Sequence, residues 1–529
     1  MTNPSPRAGR REWTAFVVLL LPLLLVSMDV SVLFFAIPAI GRELAPSATQ
    51  QLWIFDSYAF ALAGLLITMG SLGDRIGRRK LLLFGAAAFG AASVAAAYAQ
   101  SAEMLIAARA VLGIGGATLM PSTMALVRNM FQDDGQRTKA VGIWSGAMAG
   151  GIALGSVLGG LLLDHFWWGS VFLVNVPAMA LLLVLVPLLV PEFKDPAPGR
   201  FDLLSVPLSM GAVLPVIYGL KEIAAGGTSP TGSGGGFTLP RVVCVVAGVA
   251  VGAVFVHRQR SRRDAMISRE LFRHPAFGAG IAVNTVAAFG MMGSAYFTTQ
   301  YLQSVLGKSP LEAALWGVLP SLAVGAAAPL ATAAGARIHK AYVIAAGFVT
   351  AAAGYALLGL CGTDSLALTL VASAVVGCGI VTVMALVSDM ALGTAPPEKA
   401  GGAAALLETG QEFGGALGMA LFGSVGVAVY RRDVTASLPA GLPHGTLAAV
   451  RETLGGAAGA AARLPGRAGE SVLATAREAF THGMNVAAAG GTLILLVAAA
   501  LTVAALRNVR METAPAPGPA PAPEHAGQR

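Results

Sequence analysis

The chain has 529 residues, of which 55% are apolar and only 12% are charged, and its mean hydropathy is +0.71. Soluble domains carry about 25% charged residues, so this composition excludes a single soluble core and favours a protein that crosses a membrane many times. The net charge of +8 would indicate a nucleic-acid ligand only if the basic residues formed a patch. The three cysteines form no disulfide framework and show no metal-ligand spacing.

Fourteen apolar stretches are each long enough to cross a bilayer as a helix, which needs about 20 residues. In chain order they are 13–40, 52–72, 81–99, 103–127, 139–162, 168–190, 203–221, 239–257, 277–299, 311–334, 340–361, 366–392, 403–429 and 484–506. Arginines precede the first stretch, but its apolar part is too long for a cleaved signal peptide, so we expect it to be retained. The predicted fold class is an all-α membrane protein.

The basic residues are distributed unequally between the two sides of the membrane. If the N-terminus is cytoplasmic, 24 of the 35 Lys and Arg residues fall in the inner segments, and few fall in the short outer loops. By the positive-inside rule, both termini are predicted to be cytoplasmic. The excess positive charge then faces the anionic lipid of the inner leaflet, so we expect membrane lipid and no nucleic acid as a partner.

The predicted spans group as six, two and six along the chain. The units are a cytoplasmic N-terminus (1–12), a six-helix bundle (13–190), two inserted helices (203–257), a basic cytoplasmic loop (258–276), a second six-helix bundle (277–506) that includes an extracytoplasmic segment (430–483), and a disordered tail (507–529). The string GDRIGRRK (73–80) is partly repeated, in shorter form, as GARIHK (335–340) at the equivalent place in the second half. Repeated halves of this kind are typical of transporters.

The most specific string is GSLGDRIGRRK (70–80), between the second and third spans. It resembles the signature of the major facilitator superfamily, in which this loop latches the two halves together on the cytoplasmic side. Glycines there permit a tight turn and a close helix approach. The resemblance assigns the latch to Gly73, Asp74, Arg75, Gly77 and Arg78. The alternative is an ordinary basic loop that follows the positive-inside rule.

Three further strings resemble the fourteen-span drug:proton antiporter family, and within it the quaternary-ammonium and multidrug efflux branch. MDVSVLFFAIPAI (28–40) is similar to its first-span signature, with Ser31 in place of the usual Thr. WIFDSYAF (53–60) is similar to its second-span pattern. LIAARAVLGIGGA (105–117) resembles its fourth-span signature and places Arg109 where the family has an arginine tied to proton transfer.

The fifth span carries GIALGSVLGG (151–160), which resembles the antiporter signature of the same family. Ser156 stands where the family usually has a proline that bends the helix. The glycines that the resemblance assigns to helix packing are Gly151, Gly155, Gly159 and Gly160. Some members of the branch also carry an acid in the tenth span, and 319–330 has none, which makes monocations better-supported substrates than dications.

Ionisable side chains inside spans cost about 2.5–3.5 kcal/mol on insertion scales and usually mark function, and six positions are plausible candidates here. They are Asp29, Asp56, Arg109, Asp389, Glu408 and Glu412. Glu408 and Glu412 share one helix face a turn apart, so their charges repel and they titrate as a coupled pair. We predict proton coupling and cation binding at Asp29, Asp56, Glu408 and Glu412, with Arg109 as proton relay.

Each of these assignments has a plainer alternative. Asp29 could hold only a structural hydrogen bond, for example to Ser27. Asp56 and Glu408 could be solvated residues at the two membrane interfaces, and Asp389 is best explained as a helix-end residue. Arg109 could simply be the buried partner of an acid.

Aromatic and methionine side chains on the central spans would complete a cation site. Ring faces attract cations by about 1–2 kcal/mol when desolvated, and methionines adapt to ligands of different shape. The candidates are Trp53, Tyr58, Met120 and Tyr296. For any one of them, packing or lipid contact is the alternative.

Together the patterns predict a monomeric transporter of the bacterial cytoplasmic membrane that exports lipophilic organic cations or antimicrobials in exchange for protons. No cofactor is expected, because the GKS of QSVLGKSP (303–310) lacks the spacing of a phosphate loop. The nearest alternative is an exporter dedicated to a single antibiotic or metabolite. A membrane-embedded enzyme and a channel are the rivals from other classes, and we predict that the chain is not an enzyme.

Overall fold

The computed structural model describes residues 8–194, scattered residues between 204 and 219, and residues 239–261, 275–393, 400–438, 444–464 and 467–507. In these ranges the long elements are all helices. They are α1 (Arg10–Glu43), α2 (Ala48–Ile76), α3 (Arg78–Ala97), α4 (Ala102–Met130), α5 (Asp134–His165), α6 (Ser170–Leu173), α7 (Asn175–Leu189), α8 (Leu239–Ser261), α9 (Pro275–Gln300), α10 (Pro310–Gly335), α11 (Lys340–Leu358), α12 (Leu366–Gly393), α13 (Ala400–Ser437), α14 (His444–Glu452), α15 (Leu454–Ala461) and α16 (Arg467–Leu506). A π-helical turn, Tyr301–Val305, follows α9.

Twelve helical stretches of the described chain are long and apolar enough to cross a membrane. The two pieces of α2, Thr49–Leu66 and Thr68–Ile76, meet at 48° and make a thirteenth if they form one span. In chain order these thirteen correspond to predicted spans 1–6 and 8–14. Predicted span 7 (203–221) falls largely outside the described residues, so the count of fourteen stays a prediction. We name inner and outer helix ends by the orientation that the basic residues predict.

Several helices that follow short loops have a side-chain cap at their N-terminus. Ser47, Ser101, Asp133 and Ser309 each accept a hydrogen bond from a backbone N–H three residues later. Such caps satisfy amides that have no acceptor within the helix. The caps therefore account for where α2, α4, α5 and α10 start.

Two helices extend beyond the predicted membrane limits into the segment 430–483. Helix α13 continues to Ser437, and α16 already begins at Arg467. Between them lie the short helices α14 and α15, and α15 packs against both α1 and α16. At this contact the Cα of Gly455 lies 3.8 Å from the Cβ that a side chain at Gly41 would have. The segment thus covers the outer end of the first bundle.

The long helices form two bundles with the same internal pairing. In the first bundle α1 packs against α5, and α4 packs against both α2 and α3. In the second bundle α9 packs against α13, and α12 packs against both α10 and α11. The bundles meet where α2 contacts α13 and where α5 contacts α10. The interface therefore lies between two equivalent halves, as in transporters built from repeats.

Glycines spaced four residues apart let the paired helices of each bundle approach closely. A Cβ on Gly155 would lie 2.7 Å from the backbone oxygen of Met28, and one on Gly414 would lie 2.0 Å from that of Thr285. Any side chain at these positions would force α5 from α1 or α13 from α9. The two glycine stripes are Gly151, Gly155 and Gly159 on α5, and Gly410, Gly414 and Gly418 on α13.

The bundles are in close contact at the outer ends of their helices. The hydroxyl of Ser309, before α10, donates a hydrogen bond to the carboxylate of Asp164 on α5 (3.0 Å). A Cβ on Gly160 would lie 2.7 Å from the Cα of Leu311, so this glycine packs across the interface rather than against α1. These contacts join the two bundles at their outer ends.

Candidate functional site

A cavity of about 590 Å³ lies between the two bundles, near the middle of the long helices. The first bundle contributes aromatic and charged side chains to its wall, and the second contributes methionines, an amide and a carboxylate. The main members are Phe34, Phe55, Asp56, Tyr58 and Arg109 from the first bundle, and Met291, Met292, Gln411, Glu412 and Met419 from the second.

Asp29 and Arg109 form a buried ion pair within the first bundle. The guanidinium Nη1 of Arg109 donates to Asp29 Oδ2, and the two side chains are only 2% and 3% exposed. Arg109 Nε also donates to the carbonyl of Ile54 (3.1 Å), and its guanidinium lies 4.5 Å from the centroid of the Tyr58 ring. The partner of Asp29 is therefore Arg109 rather than Ser27.

Arg109 links Asp29 to the cavity wall. The arginine and Tyr58 line the cavity wall, whereas Asp29 lies behind them on α1. The Tyr58 hydroxyl donates to the carbonyl of Val26 (3.4 Å), which holds its ring against the guanidinium. Asp29 is not part of the cavity wall but is paired with Arg109, which is, so the pair is placed to pass on a change of charge rather than to bind a ligand directly.

Asp56 lies on the cavity wall and not at the outer membrane interface. It is 1% exposed and sits on α2, next to Phe55 and Tyr58. It is the first-bundle carboxylate that directly faces the cavity, opposite Glu412 of the second bundle.

Glu412 and Glu408 lie one turn apart on α13, with Glu412 on the cavity wall and Glu408 nearer the inner end. Oε1 of Glu408 is buried and makes no hydrogen bond to the described residues. Within the described part of the chain, neither glutamate forms an ion pair with a basic side chain. A buried carboxylate without a cation is costly unless it binds a proton or a ligand.

The structure places the four predicted aromatic and methionine contacts differently. Tyr58 lines the cavity. Trp53 packs against Phe60 with ring centroids 6.1 Å apart. Met120 is buried on α4, away from the cavity wall. Tyr296 lies toward the outside, where its hydroxyl accepts a hydrogen bond from Gln51 Nε2 (3.4 Å).

Three aromatic rings in contact lie between this cavity and a second one nearer the outer surface. The rings of Phe34 and Phe55 are 5.0 Å apart, and those of Phe55 and Tyr296 are 5.9 Å apart. Beyond them, about 550 Å³ of open space lies between the bundles and under α14 and α15, with Tyr296 and Glu452 in its wall. The rings close the central cavity on its outer side.

Several cavity residues were missed in the sequence, and one signal was available for them. Ala416 and Met419 follow the predicted Glu408 and Glu412 at intervals of three or four residues on α13, which puts them on the same helix face. On the opposite bundle, Phe34 and Phe55 look like ordinary apolar residues of a span. Only the packing of the helices shows that they face a cavity.

The predicted latch lies at the turn between α2 and α3. Asp74 Oδ1 accepts a hydrogen bond from Arg78 Nη2 (2.5 Å), and Gly77 adopts φ +111°, which favours glycine. A Cβ on Gly73 would lie 2.9 Å from the Arg78 side chain. Arg75 sits in the same turn and is half-buried. The predicted latch residues therefore form one compact turn.

Asp389 lies in the inner part of α12, so the structure places the sixth predicted intramembrane charge near a helix end.

Comparison with known proteins identifies the family. Residues 19–419 match the sequence model of the Major Facilitator Superfamily. The chain belongs to this superfamily. It is 41% identical over 509 residues to the multidrug efflux pump LfrA of Mycolicibacterium smegmatis, covering 96% of this chain and 99% of that protein.

Other relatives in the superfamily are also resistance and export proteins. The chain is 33% identical to the methyl viologen resistance protein SmvA of Salmonella typhimurium, over 92% of this chain and 97% of that protein. It is 30% identical to a tetracenomycin C resistance and export protein of Streptomyces glaucescens, over 97% of this chain and 95% of that protein. The chain is therefore a drug efflux transporter of the Major Facilitator Superfamily and not an enzyme.

Solved structures share the fold. A bacterial homologue of the human lysosomal transporter Spinster, in an inward-facing and unoccupied conformation, superposes with a TM-score of 0.64 at 16% identity, covering 95% of this chain and 98% of that one. Tetrameric PepTSo2 superposes with a TM-score of 0.57 at 16% identity, covering 94% of this chain and 99% of that one. The predicted all-α major facilitator fold is confirmed, and so is the multi-pass location in the bacterial inner membrane.

Proposed function

We propose that the transporter exports lipophilic organic cations and related antimicrobials in exchange for protons, by alternating access between the two bundles. The observation that supports this most is the central cavity, which brings Asp56 and Glu412 together from opposite bundles. Arg109 already balances the charge of Asp29, and Glu412 forms no ion pair within the described part of the chain, so Glu412 gives the cavity wall an acidic group. Aromatic rings and methionines around them suit cations of varied shape.

The two glutamates on α13 supply the chemistry of exchange. When the cavity is empty, a proton on Glu408 or Glu412 relieves the repulsion between two carboxylates one turn apart. When an organic cation binds beside Glu412, its charge takes the place of that proton. Proton release and cation binding are then two outcomes of competition for the same carboxylates.

The electrical balance limits how such an exchange is driven. One proton entering gains about 2.3 kcal/mol per 100 mV of membrane potential, and one monocation leaving costs the same amount. Exchange of one for one is therefore driven by the pH gradient alone. Exchange of two protons for one monocation would also use the potential. The working unit in this proposal is a monomer surrounded by lipid, without a cofactor.

The test is transport by the purified full chain in proteoliposomes. Tetraphenylphosphonium serves as a monocation, with a neutral and an anionic aromatic dye of similar size as comparisons. We expect transport of the cation to require an imposed pH gradient and to move protons in the opposite direction. Transport of the cation that is indifferent to the pH gradient would contradict proton exchange.

A second candidate is the export of one antibiotic. The similarity to the tetracenomycin C export protein along almost the whole chain favours it. If the neutral dye or a neutral antibiotic moves and the cation does not, the dedicated exporter is the better description. The same panel thus separates the two candidates.

A further inference from the structure

The segment that leaves the first bundle is bound to the start of α3. Glu192 follows the end of α7, and its carboxylate accepts hydrogen bonds from the backbone N–H groups of Arg79 (2.9 Å) and Lys80 (3.2 Å). The carbonyl of Phe193 accepts another from the N–H of Arg78 (2.9 Å). These amides belong to the first turn of α3, where a helix offers no internal acceptor. We call this set of three hydrogen bonds the Glu192 clasp.

The clasp replaces a cap that the local sequence does not provide. The N-cap residue of α3 is Gly77, which has no side chain and adopts φ +111°. A Cβ at this position would lie 2.5 Å from Glu192 Oε1. Both the backbone conformation and the carboxylate of Glu192 therefore require glycine here. The helix receives its N-terminal acceptor from a residue more than a hundred positions later.

Arg79 ties the same two segments together from the other side. Its Nη1 donates to the carbonyl of Val190 (3.1 Å), and its Nε lies 3.8 Å from Glu192 Oε2. The start of α3 and the end of α7 are thus joined by contacts in both directions. Glu192 is 25% exposed, so its hydrogen bonds are partly shielded from water.

We propose that Glu192 is a positioning residue for the latch, holding the α2–α3 turn ready to engage the second bundle when the inner side closes. The inference rests on the proposed transport cycle. The backbone of Arg78 is fixed by Phe193, while its side chain holds Asp74. The side chain of Asp74 is 46% exposed and has room for a further partner. A turn that is already ordered loses less conformational entropy when it latches.

Transport kinetics test this role in proteoliposomes. We expect Glu192→Ala to lower the maximal efflux rate about tenfold, or about 1.4 kcal/mol of barrier, with little change in the substrate concentration at half-maximal rate. Glu192→Gln keeps an acceptor for the amides and should recover most of the rate. Glu12→Ala is the matched control, because Glu12 caps α1 at the same membrane face through the N–H of Gly9 (2.7 Å). We expect this control to transport normally.

A distance measurement tests the positioning role without reference to transport. Spin labels at Gln132 and Ile338, exposed at the inner ends of the two bundles, are introduced in a chain whose three native cysteines are replaced. We expect Glu192→Ala to reduce the population with a short inner distance, in which the inner side is closed. This shift would support the inference even if proton exchange proved wrong.

Three results would overturn the inference. The first is a normal efflux rate and a normal distance distribution in Glu192→Ala. The second is an equal loss of rate in Glu192→Ala and Glu12→Ala, which would indicate a general effect of removing a helix cap. The third is a loss of substrate binding in Glu192→Ala with an unchanged maximal rate.

Discussion

The two bundles share one pattern of helix pairing but hold their buried carboxylates differently. In the first bundle Asp29 is paired with Arg109, which lines the cavity, whereas Asp29 does not. In the second bundle, no basic side chain of the described chain pairs with Glu408 or Glu412, and Glu412 faces the cavity. The first site is a fixed pair whose charge is balanced within the protein. The second has to obtain its balancing charge from a proton or a substrate.

This difference suggests that the two halves have different roles in transport although their architecture is similar. A buried pair is sensitive to the loss of either member, since the remaining charge is left uncompensated. An unpaired carboxylate is sensitive to what occupies the cavity. The variants below test this distinction, beginning with the largest expected effect.

Breaking the pair in the first bundle should be the most severe change. We expect Asp29→Asn and Arg109→Met each to abolish coupled efflux while the protein remains in the membrane. Arg109→Met should also lower the stability by about 3–5 kcal/mol, because Asp29 is then buried without a partner. Thermal unfolding of the purified variants measures this. The double variant should regain stability and not transport, whereas full efflux by Asp29→Asn would refute a role for the pair.

Removing the cavity carboxylate of the second bundle should act on binding. We expect Glu412→Gln to weaken the affinity for tetraphenylphosphonium about tenfold or more and to leave the stability nearly unchanged, because Gln has a similar volume and carries no charge. Equilibrium binding to purified protein measures the affinity. Gln411→Glu combined with Glu412→Gln is a useful comparison, since together they move the charge by one residue on the same wall. Unchanged affinity in Glu412→Gln would remove this residue from the cation site.

Glu408→Gln should have a smaller effect on affinity than Glu412→Gln, because Glu408 lies behind the cavity wall. Its main expected effect is on coupling, since only one carboxylate then remains to titrate on α13. The pH dependence of efflux should become less steep than in the native protein. A binding defect as large as that of Glu412→Gln would mean that the two glutamates form a single substrate site.

Changing the latch should slow transport without altering the cavity. We expect Asp74→Asn to reduce turnover severalfold and to leave cation binding largely intact, because Asp74 lies in the α2–α3 turn, far along α2 from Asp56. Rates in proteoliposomes and equilibrium binding of the same preparation give the two quantities. Binding lost together with turnover would contradict a latch.

Much of the fold could be predicted from the sequence. The hydrocarbon core of the membrane requires long apolar stretches, and basic residues accumulate on the cytoplasmic side. The ionisable residues of the site were accessible for the same reason, since charges are rare in spans. The partner of Asp29 was not, because Arg109 lies 80 positions away and only the packing of α1 against α4 brings them together.

Contacts that depend on tertiary packing were also the ones that sequence reasoning misplaced. Trp53 and Met120 were candidates for the cavity wall and pack elsewhere, while Phe34 and Met419 were not among the candidates and line it. An apolar residue in a span can face lipid, a neighbouring helix or a cavity, and the sequence composition is similar in all three cases. The glycine stripe of α13 was readable in principle, since Gly410, Gly414 and Gly418 repeat the spacing seen on α5.

The glycine stripes also determine which parts of the molecule move as one piece. Along both stripes, backbone rests on backbone, so these helix pairs have few side chains that could rearrange to absorb a displacement. The pairs α1–α5 and α9–α13 should therefore each move as a rigid body. Conformational change should therefore occur at the interface between the bundles, where longer side chains can change rotamer. A larger residue at Gly414 would push α13 away from α9. It would displace the cavity residues on α13 without replacing any residue proposed to bind the substrate.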